Sequence, residues 1–541
     1  MKRSTDKERK SKVEKLNAIG IALSSEKDMP RLLEMILIGA KIITGADGGT
    51  LYTVNDEKEL VFEIVRTSSL KIGMGGTSEK QVTFDPIALY NNDKSPNIQK
   101  IVVYSALNDK TINLSDVYQT TEFDFSGPRK FDQQMNYRTK SMLTIPMKGR
   151  EGKTIGVLQL INKLDRNSKN PIPFSRRDQH LAESLASQAA IALTNKQLID
   201  SLKNLFDSFI KTIATSIDAK SPYTGGHCKR VPELTLALAR AASNTMDGPL
   251  KDFNLSDQER YSLEVASWLH DCGKLVTPVH IVDKATKLET ICDRIHLIDT
   301  RFEVLKRDVE IKKLKKLLAA NNNEEAKVIE QEFQNELCQL REDRELIRKC
   351  NKGSEFMVPE LQNKIRQISS RSWRNEKGET VPFLTENETE NLLIPSGTLT
   401  PEERNIINDH IVVTIKMLKS LKFPKEMESV PEYAGGHHER MDGNGFPLGL
   451  KREQMSVPAR IMAIADVFEA LTAKDRPYKE AKKLSEALSI LGKLKQENHI
   501  DPDLFDVFIH EKIYLSYAHE YLDPDKIDID DPSEISGYPF D

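Results

Sequence analysis

A recurring histidine–aspartate pattern between residues 227 and 466 constrains this chain most, because a fold that uses it must draw distant stretches to one point. Of the 11 histidines, His227 lies in Tyr223-Thr-Gly-Gly-His-Cys-Lys-Arg-Val and His270 precedes Asp271 in Trp268-Leu-His-Asp-Cys-Gly-Lys. His410 follows Asn408-Asp, the pair His437-His438 follows Gly435-Gly436, and Asp466 sits in Ile464-Ala-Asp-Val-Phe-Glu-Ala-Leu-Thr. Each histidine alone would more often be a surface or core residue. Together these imidazoles and carboxylates suit iron, manganese or zinc. They are enough for two ions and too many for one tetrahedral site. An adjacent His-Asp pair can place a nitrogen and a bridging carboxylate at a helix end. His437 and His438 cannot point the same way along a straight helix. They converge only where a helix begins or ends, which the two preceding glycines permit.

From Ala219 onward the chain reads as almost all helix. Within it, residues 285–393 form a distinct segment. Ile291, Ile295, Ile298, Phe302, Leu305 and Val309 alternate four and three apart, Asn321-Asn-Asn-Glu-Glu breaks the run, and Ile329, Phe333, Leu337 and Leu340 resume it. The expected fold is an antiparallel helical hairpin, a scaffold or docking arm without candidate ligands. Arg371–Glu390 is polar and reads as a loop.

The first part of the chain differs. A helical segment over 1–27 and helical spacing to Ile43 give way to strands at Thr50–Val54, Leu60–Val65, Ser141–Met147 and Thr154–Asn162. A helix from about Ser175 to Asp218 follows, so residues 28–196 read as an α+β sensor-like domain. Residues 197–218 form a connecting helix. Its Leu198, Leu202, Leu205 and Phe209 make a short heptad seam, either for pairing in a homodimer or for facing a core.

Composition narrows the classes. The 541 residues carry a net charge of −4 and no long basic block, which disfavours polymeric nucleic acid as a partner. No apolar signal core follows the charged start, and Leu32–Ile43 is too short to span a bilayer. The expectation is a cytoplasmic protein without a membrane partner. The 5 cysteines form no C-x-x-C pair, so disulfide and zinc-thiolate frameworks are disfavoured. Cys228 and Cys272 flank candidate ligands and read as small buried apolar residues.

Residues 210–541, the insertion aside, resemble the HD-GYP family of cyclic-dinucleotide phosphodiesterases, with the phosphohydrolase domain over 219–541. The likeness runs through Asp218-Ala-Lys-Ser-Pro-Tyr-Thr-Gly-Gly-His, His270-Asp-Cys-Gly-Lys, Gly397-Thr-Leu-Thr-Pro-Glu-Glu, His437-His-Glu-Arg-Met-Asp-Gly-Asn-Gly-Phe-Pro, Asp466-Val-Phe-Glu-Ala-Leu-Thr and Arg476-Pro-Tyr. It implies an all-α domain holding one ion by His227, His270, Asp271 and Asp466, and a second by Asp271, His410, His437 and His438. Tyr223 stands where some members use a glutamate for a third ion, so two ions are expected, iron or manganese before others. The resemblance implies in-line cleavage at phosphorus, with Asp271 and Lys274 in the catalytic site and Lys274 and Arg476 contacting the substrate. Cyclic di-GMP, cleaved to pGpG or GMP, is the first-choice substrate. A hybrid cyclic GMP-AMP and a non-catalytic cyclic-dinucleotide receptor are the alternatives. The family's Gly-Tyr-Pro is Gly445-Phe446-Pro447 here, which keeps the ring and loses the hydroxyl. The insertion departs from the family as well, and as a gate or docking arm it would meet a protein partner.

Residues 28–196 resemble a GAF domain through Gly48-Gly-Thr-Leu-Tyr, Ile112-Asn-Leu-Ser-Asp-Val-Tyr, Lys140-Ser-Met-Leu-Thr-Ile-Pro-Met, Ile155-Gly-Val-Leu-Gln-Leu-Ile-Asn-Lys and Ser187-Gln-Ala-Ala-Ile-Ala-Leu. Asn162-Lys163, Phe174 and Asp178-Gln179 look like a motif of cyclic-nucleotide-binding GAF domains, where it is mostly architectural. A cyclic mononucleotide ligand and an unliganded dimerisation module are the two readings.

Overall fold

The computed structural model describes residues 2–149, 152–220, 226–320, 322–353, 356–375, 377–474, 481–529, 535 and 538. The chain divides into two compact units, Met1–Phe206 and Asp207–Asp541.

The first unit opens with α1 (Lys2–Ser25) and α2 (Met29–Thr44). The first run stops at Ser25, Asp28 caps α2 by accepting from Arg31 N–H, and Gly45, at φ 77°, closes α2 in the left-handed region that glycine tolerates. Strands β1 (Ala46–Val54), β2 (Glu59–Thr67), β3 (Ile72–Gly75) and β4 (Ile87–Ala88) precede α3 (Ile101–Asn108). Next come β5 (Ile112–Leu114), α4 (Ser126–Met135), β6 (Met142–Lys148), β7 (Thr154–Leu164), β8 (Pro171–Ile172) and the long α5 (Arg176–Lys220). The antiparallel sheet runs β3-β2-β1-β7-β6-β5, with β4 beside β2 and β8 beside β7. Strand alternation splits its two faces. Leu51, Leu158 and Ile145 pack with Ile36 and Leu37 of α2 and with Leu185 and Ala189 of α5. Neighbouring Tyr52, Val157 and Met142 face Val102 and Val103 of α3 and Phe125. This is the α+β arrangement expected.

The second unit is helical: α6 (His227–Ser243), α7 (Asp257–Leu269), a 3₁₀ turn (Cys272–Leu275) and α8 (Val279–Val282). The insertion supplies α9 (Ile295–Ala319), α10 (Asn323–Asn351), α11 (Pro359–Ser369), β9 (Ser372–Arg374), β10 (Thr380–Pro382) and α12 (Glu386–Leu392). Then follow α13 (Pro401–Asn408), α14 (His410–Ser420), α15 (Val430–Gly435), α16 (Val457–Thr472), α17 (Leu484–Gln496), α18 (Pro502–His510) and α19 (Ile513–Tyr521).

The expected hairpin is α9 and α10. Ile295, Ile298, Phe302, Val309, Leu340 and Ile347 bury one seam, and Phe383 and Leu392 complete a core that belongs to the insertion. Ile291 departs from the expectation: it precedes α9 and is 97 % exposed. The stretch read as a loop also differs. Residues 372–374 and 380–382 pair as a short antiparallel ladder, and Thr385 with Glu388 forms a reciprocal capping box that starts α12. Polar composition hid both, because a two-strand turn and a helix cap are themselves polar.

Leu198, Leu202, Leu205 and Phe209 on α5 are 50–64 % exposed, so the seam does not face a core within this chain. Among the described residues no helix is long and apolar enough to cross a membrane.

Candidate metal centre

Helix ends supply most of the expected ligands. His227 is the first residue of α6, His270 caps α7, and His410 opens α14. The α15 helix stops at Gly435 with Gly436 as its cap, so His437 and His438 lie just beyond its end, as their convergence requires. Asp466 alone comes from within a helix, α16. A helix end also has carbonyls without intrahelical donors. His270 Nδ1 donates to Ser267 O at 2.7 Å, His437 Nδ1 to Ala434 O at 2.7 Å, and His410 Nδ1 to Ile407 O. A ring nitrogen facing a carbonyl carries the proton, so in all three the Nε2 lone pair is left for another partner.

Those lone pairs meet. His227 Nε2 lies 3.3 Å from His270 Nε2, and 3.4 Å from both Asp271 Oδ2 and Asp466 Oδ1. His270 Nε2 is 3.4 Å from Asp271 Oδ2 and 3.8 Å from Asp466 Oδ1. A second group gathers one nitrogen each from His410, His437 and His438 within 4.8 Å. The two groups share Asp271, whose Oδ1 lies 3.1 Å from His410 Nε2 without forming a hydrogen bond. Asp271 Oδ1, His410 Nε2 and His437 Nε2 are all buried without a hydrogen-bond partner. Buried polar atoms in such a state are rare, and a cation is the partner that several acceptors can share. These residues fit a metal ion.

The charges agree. Burial alone would raise the Asp271 and Asp466 pKa values, but Lys274 and His270 near the first, and His227 and His437 near the second, hold both well below the usual carboxylate range. Burial, and then neighbouring imidazoles, keeps His437 neutral; burial likewise lowers His438 to about 4. His227 goes the other way: burial opposes its charge, yet Glu469 and the two aspartates push it up to about 10. The carboxylates around His227 thus favour positive charge at this point, held as a proton or, in its place, by a metal ion. Burial pushes the Cys272 thiol up to about 11 and Cys228 higher, so neither is a thiolate ligand.

Sequence reading missed the residues that orient this set. Glu469, one turn after Asp466 on α16, accepts His227 Nδ1–H at 2.5 Å through Oε2, while Oε1 takes Arg230 Nε at 2.8 Å. The i,i+3 spacing from Asp466 was the available signal. Such carboxylate–histidine partners tune ligand affinity, so Glu469→Gln is expected to weaken metal binding about 10–100-fold. Chelator competition measures it, and an unchanged affinity would remove Glu469 from the centre. Gly273 is required by proximity: a Cβ there would stand 1.9 Å from His410 O, and its N–H donates to Thr414 Oγ1 at 2.9 Å. Glu439 accepts from Leu448 and Leu450 N–H at 2.7 and 2.8 Å and holds the loop in which Phe446 stacks on His438, ring centroids 4.8 Å apart. The Phe446 ring therefore touches an expected ligand directly.

Lys274 Nζ lies 2.5 Å from Asp271 Oδ2 at the edge of the centre. Arg476 and Tyr223, named from the sequence, lie outside the described residues.

In the first unit, a cavity of about 360 Å³ is lined by Tyr52, Phe62, Phe84, Phe125 and Phe131 together with Thr50 and Gln159. Lys100 at its wall pairs with Asp124 at 2.6 Å. The Asn162 motif lies elsewhere and is architectural: Asn162 Oδ1 accepts from Lys140 N–H at 2.7 Å, and Lys163 pairs with Asp178.

Two protein-family models match the chain: GAF domain over residues 28–193 and HD domain over residues 387–504. A probable cyclic di-GMP phosphodiesterase of Vibrio cholerae is 35 % identical over 140 residues, 25 % of this chain and 31 % of that protein. A cyclic di-GMP phosphodiesterase of Thermotoga maritima is 35 % identical over 131 residues, 22 % of this chain and 35 % of that one. A 3'3'-cGAMP-specific phosphodiesterase of Vibrio cholerae is 45 % identical over 80 residues, covering 15 % and 18 %. The matches thus span about a third of these relatives' length or less.

Proposed function

We propose that this chain, which joins a GAF domain to an HD domain, is a metal-dependent phosphodiesterase acting on a cyclic dinucleotide. The observation that carries the reading is the placement of Asp271, with one oxygen turned to each of two imidazole groups. His227, His270, Asp271 and Asp466 would hold one divalent ion, and His410, His437, His438 and Asp271 a second. The donors are nitrogen and oxygen without thiolate, a set suited to iron or manganese. Bound there, two ions supply Lewis-acid activation and charge stabilisation for displacement at phosphorus.

The chain's own residues do the rest. Helix-end carbonyls and Glu469 fix the ring orientations, and burial keeps His437 and His438 neutral and available. Lys274 offers a partly exposed ammonium to an anionic phosphodiester, and with Asp271 it forms the catalytic pair. Arg476 is assigned to the same substrate.

Cyclic di-GMP is the first substrate, with pGpG or GMP as product. Hybrid cyclic GMP-AMP is the second reading, favoured by the 45 % identical stretch shared with a cGAMP-specific relative. The test is metal analysis of purified protein coupled to hydrolysis of both dinucleotides. The expected result is about two ions per chain and product from at least one substrate. Product from neither, with metal bound, would leave the receptor reading.

The aromatic cavity of the GAF domain is assigned to a small regulatory ligand, a cyclic mononucleotide being the first to test by calorimetry. The exposed seam on α5 supports a homodimer, and Leu314 and Leu318, exposed on α9, support a protein partner at the insertion; a cytoplasmic location is proposed from the sequence alone.

A further inference from the structure

The final turn of α5 holds two of the segments that build the metal centre, and nothing in the chemistry above uses it. Lys220, the last residue of α5, donates from Nζ to three backbone carbonyls: Lys274 O at 2.9 Å, Leu275 O at 2.6 Å and Thr277 O at 2.6 Å. An ammonium has three donors, and here each meets an acceptor. The carbonyls belong to the 3₁₀ turn Cys272–Leu275 and the residues just after it, the turn that begins at Asp271 and carries Lys274. Two residues earlier, Asp218 Oδ2 accepts from Gly226 N–H at 3.0 Å, and Gly226 is the cap that precedes His227. Ile217, Asp218 and Lys220 line one narrow cavity with His227, Asp271 and Lys274.

We infer that Lys220 is a positioning residue for Lys274 and Asp271, and that the end of α5 sets the competence of the site by holding this turn in place. The inference rests on the phosphodiesterase reading for its functional meaning. It follows from three facts. The 3₁₀ turn is short, so its own hydrogen bonds (Lys274 N to Asp271 O, Val276 N to Gly273 O, Thr277 N to Lys274 O) are few. Lys274 O takes one backbone donor, Thr277 N–H, whereas Leu275 O and Thr277 O take none among the described residues and are held by Lys220. Lys274 Nζ donates to Asp271 Oδ2 at 2.5 Å across the same turn, so the turn's geometry sets that contact. An axial shift of α5 would loosen the turn and pull on the cap of α6 together. Through Lys220, then, a shift of the end of α5 arrives at the residue assigned to the substrate phosphate.

The test uses the full chain. Amide hydrogen exchange on Lys220→Met, without added metal, is expected to speed exchange at Lys274, Val276 and Thr277 at least about tenfold, the amides of α7 and α14 staying as in wild type. Lys220→Arg, which keeps a cation with several donors, is expected to restore most of the protection. In the metal-loaded protein, Lys220→Met is expected to lower kcat about 10–100-fold at unchanged metal content, a size typical of misplacing a reacting group. In a Lys274→Ala background the same substitution should add less than about twofold, because the two act as one unit. Unchanged exchange, loosening spread evenly over the helices, or multiplicative losses with Lys274→Ala would each overturn the assignment. If Lys220→Met does not fold, Lys220→Gln is read on the same amides, with loosening expected there and its absence overturning. A wild type that hydrolyses neither dinucleotide would remove the phosphodiesterase reading, and the exchange data would still decide the latch.

Discussion

Asp271→Ala is expected to empty both metal positions and lower turnover by at least about a thousandfold, roughly 4 kcal/mol of transition-state stabilisation. The size follows from geometry. Asp271 Oδ2 faces His227 and His270 while Oδ1 faces His410, so one truncation removes a negative ligand from each group. The substitution also frees Lys274, whose ammonium would then keep Asp466 as a countercharge in the centre. Removing Asp466 instead takes a carboxylate from the first group only, and about one ion per chain should remain. Metal counted by mass spectrometry, alongside hydrolysis, measures both variants. An Asp271→Ala protein that keeps two ions would sink the shared-carboxylate arrangement, whatever its activity.

Lys284→Met is expected to destabilise the second unit by about 3 kcal/mol, the lower end of the cost of breaking a buried ion pair. The Lys284 side chain is fully buried, and its Nζ lies 2.7 Å from Asn391 Oδ1 and 2.7 Å from Glu403 Oε2. Methionine fills similar space, so the loss comes mainly from the stranded carboxylate. Partial exposure of Glu403 lets water relieve some of it, hence the lower end. Glu403 is also part of the capping box of α13 with Thr400, and α13 ends by offering Ile407 O to His410. The effect should therefore reach the second imidazole group as well as global stability. Urea unfolding followed by circular dichroism measures it. The double variant Lys284→Met/Glu403→Gln should recover most of the loss, since no charge is then left without a partner. A single-variant loss below about 1 kcal/mol would mean that the pair contributes no more than a surface one.

This ion pair also locates the insertion. Asn391 lies on α12, so the insertion contributes an oxygen to a lysine whose other partner begins the helix pair carrying His410. The sequence marks no residue as a link between the insertion and the helices that carry the candidate ligands. Lys284 is that link, and in the sequence it was an ordinary lysine among 78 basic residues.

The candidate ligands were legible because metal chemistry restricts the residue types so strongly. Imidazoles and carboxylates beside glycines at helix ends are readable one stretch at a time, and so is the helical spacing of α9 and α10. What surrounds the ligands was not readable in that way. Glu469 resembles any helix carboxylate until His227 and Arg230, more than 230 positions earlier, close on its two oxygens. Lys220 resembles a surface lysine until carbonyls 54 to 57 residues away take its three donors. Backbone acceptors have no sequence signature, because every residue carries one.

Local chemistry written in the amino-acid order marked which side chains are candidates for binding cations, that an α+β part precedes a helical one, and that His437 and His438 must follow a helix end. Only the folded chain decided that one aspartate serves two groups, that Phe446 rests on His438, and which lysines and glutamates hold the arrangement. The reason is physical: ligand character is a property of a single side chain, whereas a bridge, a buried counterion or a carbonyl clamp exists only between residues that long-range packing has made neighbours.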